Sequence, residues 1–267
     1  MSESASHDTL AIVEQGAYGL PGVVRITMNR PAAFNALSEA LLDALQRSLD
    51  EIAASDARVV VLAGAGRAFC AGHDLKEMLG SPSLDDYRAL FTRCSAMMLS
   101  IQRMPQPVIA SVHGIATAAG CQLVAMCDLA VAASDARFAV SGVNLGLFCS
   151  TPSVPLSRNL SRKAAFEMLV TGDFIDARTA REHGLVNRVA EPGDLDDATR
   201  ALAQSICDKP RAAITAGKGL FYRQLEMGID AAYQLAGETM ACNMIDDAAM
   251  EGTRAFVQKR APNWRED

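Results

Sequence analysis

The chain has 267 residues, enough for one large domain or two small ones, and its 50% hydrophobic and 21% charged residues give the balance of an ordinary globular protein. A formal net charge of -6 argues against nucleic acid as the main partner, although an acidic average leaves room for a local basic pocket. The seven cysteines include no C-x-x-C pair and no metal-ligand spacing, so no metal is expected and they read as mostly buried thiols in a reducing compartment.

The opening MSESASHDTL has neither an apolar signal core nor an arginine-rich amphipathic pattern, so the expected location is cytoplasmic, or mitochondrial only if a transit peptide has been removed. Residues 10–13 and 23–28 read as strands around a Gly/Pro turn at 19–22. Asn29-Arg30-Pro31 then breaks the pattern. Ser38 is placed to cap a helix running to about residue 53, with Leu41, Leu42, Leu45, Leu49 and Ile52 on one face. Residues 58–63 read as a buried strand. A turn at Gly64-Ala65-Gly66 follows, and then the string AFCAGHDLKEM, residues 68–78, opens a helix. A strand that feeds a glycine-containing loop into a helix leaves backbone N–H groups unpaired and pointing outward, where they can hold an anion or a developing oxyanion. The same residues also fit a plain strand-to-helix connection with Gly72 as a turn residue.

Residues 84–104 read as a long helix ended by Pro105 and Pro107, 108–112 as another buried strand, 114–120 as a small-residue turn and 121–126 as a helix. Strands follow at 128–132 and 137–140. The weakly polar run 115–133 carries Gln122 and Asp128 and reads as helix then strand, so no membrane span is expected. The order strand, strand, helix recurs without a sequence repeat, which points to a layered α/β spiral. From residue 151 the pattern is mainly helical. Thr151-Pro152 reads as a capped start, followed by helices at 162–171 and 176–183, a short strand at 185–189, and helices at 195–207, 210–227, 229–241 and 244–260. Gly193 marks the expected boundary between the spiral, 1–192, and a helical C-terminal region, 193–267.

The second glycine-rich turn, within HGIATAAGCQLVAMCDLAVAAS (residues 113–134), is another strand-to-helix junction with donors at a helix N-terminus. Two such junctions can aim one N–H each at a single carbonyl oxygen, the minimum for holding an enolate or a tetrahedral oxyanion. Read without any relative, they are two separate helix starts.

AFCAGHDLKEM resembles the oxyanion loop of the crotonase superfamily, the enoyl-CoA hydratase/isomerase family. NRPAAFNALS (29–38) is similar to that family's first CoA-side loop, RKAAFEMLVTGDFIDARTAREHGLVNRV (162–189) to its helix-turn-helix signature, and EGTRAFVQKRAPNW (251–264) to its C-terminal helix. The resemblance spans nearly the whole chain. It implies an α/β, crotonase-like ββα spiral with a helical C-terminal region that assembles homotrimers or dimers of trimers. It implies an acyl-CoA or enoyl-CoA substrate, with coenzyme A as part of the thioester and no bound cofactor. By position, the oxyanion donors are the backbone amides of His73 and Ala119. Ala33, Ala71, Asp74, Leu75 and Lys76 line the CoA side, and Phe256 and Lys259 reach a neighbouring subunit's CoA. Ala119 stands where many members carry glycine, which costs little if its φ is negative. For Lys76 and Lys259, solvated surface charge is the plain alternative.

Two positions depart from the family. The first hydratase glutamate falls at Gln122 and the second at Gly142, while a third position used by some isomerases falls at Ser150. A glutamine amide cannot take a proton at neutral pH, and glycine has no side chain. A positioned acid–base group contributes on the order of 10²–10⁴ in rate, so two-glutamate hydration is not expected. The remaining candidates are Cys149, Ser150 and Asn144, the cysteines Cys70 and Cys121 beside the two turns, and His73 and His113. A Cys–His pair suits thioester chemistry, whereas a buried cysteine is usually a small hydrophobe. Asp85 and Asp86 read as helix-start charges. There is neither a G-x-S-x-G elbow nor a dinucleotide fingerprint. Three functions follow as expectations: thioester chemistry through a backbone oxyanion hole, non-catalytic acyl-CoA binding or regulation, and an acyl-CoA thioesterase using Cys149 or Cys70.

Overall fold

The computed structural model describes residues 9–80 and 82–264. The amino-terminal leader reading falls largely on residues outside these. In chain order the elements are β1 (Ala11–Gln15), β2 (Val23–Met28), α1 (Glu39–Ala53), β3 (Val59–Gly64), α2 (Leu75–Gly80), α3 (Leu84–Arg103), β4 (Val108–Val112), β5 (Ile115–Thr117), α4 (Ala119–Met126), β6 (Leu129–Ala133), β7 (Arg137–Ala139), α5 (Ser150–Asn159), α6 (Arg162–Thr171), β8 (Ile175–Asp176), α7 (Ala177–Glu182), β9 (Arg188–Ala190), α8 (Leu195–Cys207), α9 (Arg211–Leu225), α10 (Ile229–Met244) and α11 (Asp247–Val257).

The main sheet has the order β1-β2-β3-β4-β6-β9. Its first pair is antiparallel and all later pairs are parallel. Parallel strands covered on both faces are nearly all apolar, which is why β3 and β4 read as VVVLAG and VIASV, the one polar side chain, Ser111, accepting the Thr199 hydroxyl. Their alternate residues feed two cores. Val60, Leu62, Val108 and Ala110 face α1 and α3, while Val59, Val61 and Ile109 face Leu195, Leu202 and Ala203 of α8. The second sheet, β5-β7-β8, is shorter. Single parallel bridges extend the same layer, from Leu37 to His73 and from Cys70 to Ala116. Each turn of the spiral thus places one strand in the main sheet and the next segment in the small one.

Local chemistry sets several boundaries. The Ser38 side chain accepts the Leu41 N–H to start α1, whose face of Leu41, Leu42, Leu45, Leu49 and Ile52 is buried. Ser83 does the same for α3 through the Asp86 N–H. Three readings are corrected. The turn expected at 114–120 contains β5, which is too short to show a period. The strand expected at 185–189 begins only at Arg188, because Leu185 and Val186 are core side chains in a loop pinned by Asn187, which exchanges hydrogen bonds with Ala130. The capped start at Thr151-Pro152 is not made. The helix α5 begins at Ser150 behind Cys149, with no side-chain cap, and Pro152 still sits in the first turn, where no N–H is needed.

A buried ion pair ties α9 to the sheet. Lys218 Nζ donates to Asp128 Oδ2 at 2.7 Å and to the carbonyls of Ile101 and Gln106 at 2.8 Å each. Tyr222 donates to Asp128 Oδ1 at 2.7 Å, and the Val108 N–H donates to Oδ2 at 2.6 Å.

Candidate active site

Three loops are stapled together around the string AFCAGHDLKEM. Asn35, fully buried at φ 53°, accepts the Arg30 N–H and donates its amide to the carbonyls of Ala65 and Ala68 at 2.8 and 2.7 Å. Arg30 reaches the Ala36 carbonyl at 2.6 Å and Asp74 Oδ2 at 3.0 Å. The Ala71 N–H donates to Phe34, and the Leu37 N–H donates to the Gly72 carbonyl. Asp74 in turn accepts the Lys76 N–H and so caps α2. Burial pushes the Asp74 carboxyl up, but the Arg30 hydrogen bond and the Lys76 and Glu77 amides outweigh it and hold it below the usual carboxylate range. Sequence reading missed the parts played by Arg30 and Asn35. The signal was present, an N-R-P-x-x-x-N string at the end of a strand, but only the fold shows that it grips a loop 30 residues on.

The two glycine-rich turns converge. Cys70 pairs with the strand β5: its N–H donates to the Ile115 carbonyl and its own carbonyl accepts the Thr117 N–H. That register lays Gly72, at φ +94°, directly against the second turn: a Cβ built on it would stand 3.0 Å from the Ala118 Cβ and 3.3 Å from the Ala119 nitrogen. The Leu37–His73 bridge uses the N–H and carbonyl of Leu37, so the His73 N–H is turned away from it. Ala119 is the first residue of α4, where an N–H has no intrahelical acceptor. Positive φ falls on Ala118, at 50°, and not on Ala119.

A cavity of about 390 Å³ opens beside this junction, lined by Ala71, His73 and Ala118 from the turns, Leu75, Met78 and Phe91 from the helices α2 and α3, and Ser141, Gly142, Leu145 and residues 147–152. Its walls are mostly apolar, with Leu145, Leu147 and Phe148 at its rim half or more exposed. His73 stands edge-on to Phe91, ring centroids 5.5 Å apart, and its Nε2 is buried without a partner among the described residues. Desolvation lowers its pKa to about 4 from 6.5, so the ring is neutral at pH 7. Between these two values the unfolded state binds more protons, so the stability from burying the neutral ring is complete above pH 6.5 and is lost as pH falls toward 4. We expect His73→Phe to flatten that acid limb in urea unfolding curves. An unaltered slope would show that the ring is not desolvated.

Gln122 lies in the first turn of α4, 4% exposed, with its Oε1 unpaired among the described residues. Gly142 has no room for a side chain: a Cβ there would meet Cys149 Sγ and the Leu147 carbonyl oxygen, each at 2.7 Å. Cys149 lines the cavity, but its sulfur accepts the Gly142 N–H, and burial raises its thiol pKa. Cys70 and Cys121 are fully buried, and desolvation pushes both thiols up to about 12. Neither they nor Cys149 has a histidine partner among the described hydrogen bonds. His113 bonds the Gly66 carbonyl at 2.9 Å under the first turn. Asn144 ties its loop to Gly172, and Ser150 lines the cavity. Asp85 and Asp86 sit in the first turn of α3. Ala33 ends a short 3-10 turn, Pro31–Ala33, while Lys76 is exposed on α2. Phe256, 85% exposed, is the last residue but one of α11, Lys259 follows that helix, and neither is among the residues that line the cavity. No cluster of three or more metal-ligating side chains occurs among the described residues, and no described helix is long and apolar enough to cross a membrane.

A spiral of paired strands, with two glycine-rich turns meeting over an apolar cavity, defines a protein of the crotonase fold. The chain belongs to the enoyl-CoA hydratase/isomerase family, whose description matches residues 20–267. This is a family of lyases and isomerases. The chain is similar to an enoyl-CoA hydratase crystal structure from Mycobacterium smegmatis, with 61% identity and a TM-score of 0.93 over 96% of this chain and 98% of that one. It is similar to the human enoyl-CoA hydratase domain-containing protein 3 structure, with 42% identity and a TM-score of 0.90 over 96% of this chain and all of the other. The mitochondrial protein of that name from Xenopus laevis is 42% identical over 98% of this chain and 88% of its own length.

Proposed function

We propose that the protein acts on an acyl-CoA or enoyl-CoA thioester whose carbonyl oxygen is held between the backbone N–H groups of His73 and Ala119. The observation that carries this reading is the contact of Gly72 with Ala118 and Ala119 beside an apolar cavity. Two amides aimed at one oxygen stabilise negative charge as it develops there, during enolate formation or addition across a conjugated double bond. The apolar walls suit an aliphatic acyl group. Gln122 is a neutral amide and orients a water or the substrate without ionising, and Gly142 contributes space alone. The reaction is therefore hydration, isomerisation or another step next to the thioester, run without a glutamate pair. Ala33, Ala71, Asp74, Leu75 and Lys76 take the CoA side. The large exposed apolar residues of α9–α11, among them Phe221, Ile229, Tyr233, Met240 and Ile245, suit burial in a trimer or a dimer of trimers, through which Phe256 and Lys259 reach a neighbour's CoA. The division at Gly193 into a spiral core and an oligomerisation region belongs to the same reading, as does a cytoplasmic location.

Incubation with crotonyl-CoA and longer enoyl-CoAs, following loss of the conjugated thioester absorbance with calorimetry in parallel, tests it. Turnover supports the catalytic reading. The absence of both binding and turnover sinks the CoA pocket. A second reading, an acyl-CoA-binding or regulatory protein, is favoured by Gln122 and Gly142 and predicts tight binding without turnover. The thioesterase reading has no comparable support, since each candidate thiol is held in its neutral form by burial.

A further inference from the structure

Ala118 holds a backbone conformation that a side chain makes costly. Its φ of 50° and ψ of -119° lie where residues other than glycine rarely go. The conformation is imposed from both sides: its N–H donates to the Ala139 carbonyl at 2.9 Å, and its carbonyl accepts the Gln122 N–H at 3.0 Å. A glycine would satisfy the same two bonds without the steric cost. The methyl group that causes the cost is placed at the cavity wall, against the bare Cα of Gly72. Gly72 is itself at positive φ, and a methyl of its own would be tight there, 3.0 Å from the Ala118 Cβ and 3.2 Å from the Thr117 carbonyl oxygen. One methyl therefore fills the seam between the two turns, beside the Ala119 nitrogen.

We propose that Ala118 is a positioning residue for the thioester carbonyl. Its methyl closes the seam between the His73 and Ala119 turns, keeps water out of it, and leaves the substrate carbonyl as the acceptor for both amides. A water in that seam would compete for the donors and weaken the polarisation they impose. This rests on the oxyanion reading above, and the test separates the two.

The test compares the wild type with Ala118→Gly, using the stretching frequency of an isotope-labelled thioester carbonyl bound in the pocket, together with kcat, KM and the melting midpoint. In the wild type the carbonyl band should move to lower frequency on binding. In Ala118→Gly the band should move less and kcat should fall about tenfold at unchanged KM, a part of what losing a whole donor costs. The midpoint should rise by about 2–4 °C as strain is relieved. A wild-type shift retained in full by the variant, with kcat unchanged, overturns the role of Ala118 and leaves the donors standing. No shift in the wild type overturns the donor pair and this inference with it. A lowered midpoint overturns the strain account.

Discussion

Gly120→Ala should lower kcat by about 10²–10³, the loss expected when one oxyanion donor is displaced. Gly120 follows the proposed donor Ala119 in the first turn of α4, and this turn lies directly on the Cys70 backbone. A Cβ on Gly120 would stand 2.1 Å from the Cys70 carbonyl oxygen and 2.8 Å from its carbon. Neither partner can yield easily. Cys70 is held by two hydrogen bonds to the strand β5, and α4 is buried along nearly all its length. The helix start must therefore move by about an ångström, enough to misplace a reacting group by a factor near 10². Stability should fall by about 1–3 kcal/mol, the usual cost of overpacking. Affinity for an inert acyl-CoA should change far less than kcat, because the cavity walls formed by α2, α3 and residues 141–152 are untouched. Gly217→Ala, in the interior of α9 with nothing within 4 Å of the new methyl, is the control and should leave kcat alone. Equal losses in both variants would mean that backbone approach at Gly120 is not what matters.

Lys218→Met should destabilise the fold by about 3–5 kcal/mol, because it leaves a carboxylate buried without its cation. Lys218 and Asp128 side chains are only 6% and 11% exposed. Burial pushes the Lys218 pKa down and the Asp128 carboxylate offsets part of that, leaving it below its ordinary value. Asp128 keeps the Tyr222 hydroxyl and the Val108 N–H, but these do not replace a full charge. In a chain of this size the melting midpoint should drop by on the order of 10 °C. The exposed pair Arg88–Asp85, at 68% and 89% side-chain exposure, gives the contrast: Arg88→Ala should cost no more than about 1 kcal/mol. A loss at Lys218 as small as that at Arg88 would show that water reaches the pair and screens it.

Much of the spiral was legible residue by residue. The bounds expected for β2, β4, α6 and α8 are those of the structure, and Ser38 caps α1. Each of these signals is local: an apolar period, a cap or a proline within a few residues. The short strands β5 and β8 were missed for the opposite reason. Three and two residues carry no period, and they exist because neighbours pair with them. The candidate site was half legible. AFCAGHDLKEM announced a loop with free amides, but that Phe91 and the apolar rim at Leu145, Leu147 and Phe148 would close over it was not written in the local pattern of their own segments.

What the sequence by itself determined is therefore most of the elements, the two glycine-rich turns and the identities Gln122 and Gly142, neither of which can ionise whatever the fold. What only the tertiary structure decided is that the turns meet. That depends on the register of Cys70 against Ala116 and on the bare Cα atoms of Gly72 and Gly120, which let two backbones touch. It also decided that Gly142 has no space to spare, because the Cys149 sulfur and the Leu147 carbonyl already fill it. Caps and periods act over a few residues along the chain, whereas these contacts join segments far apart in sequence, and their physics is steric exclusion between backbones that no local pattern encodes.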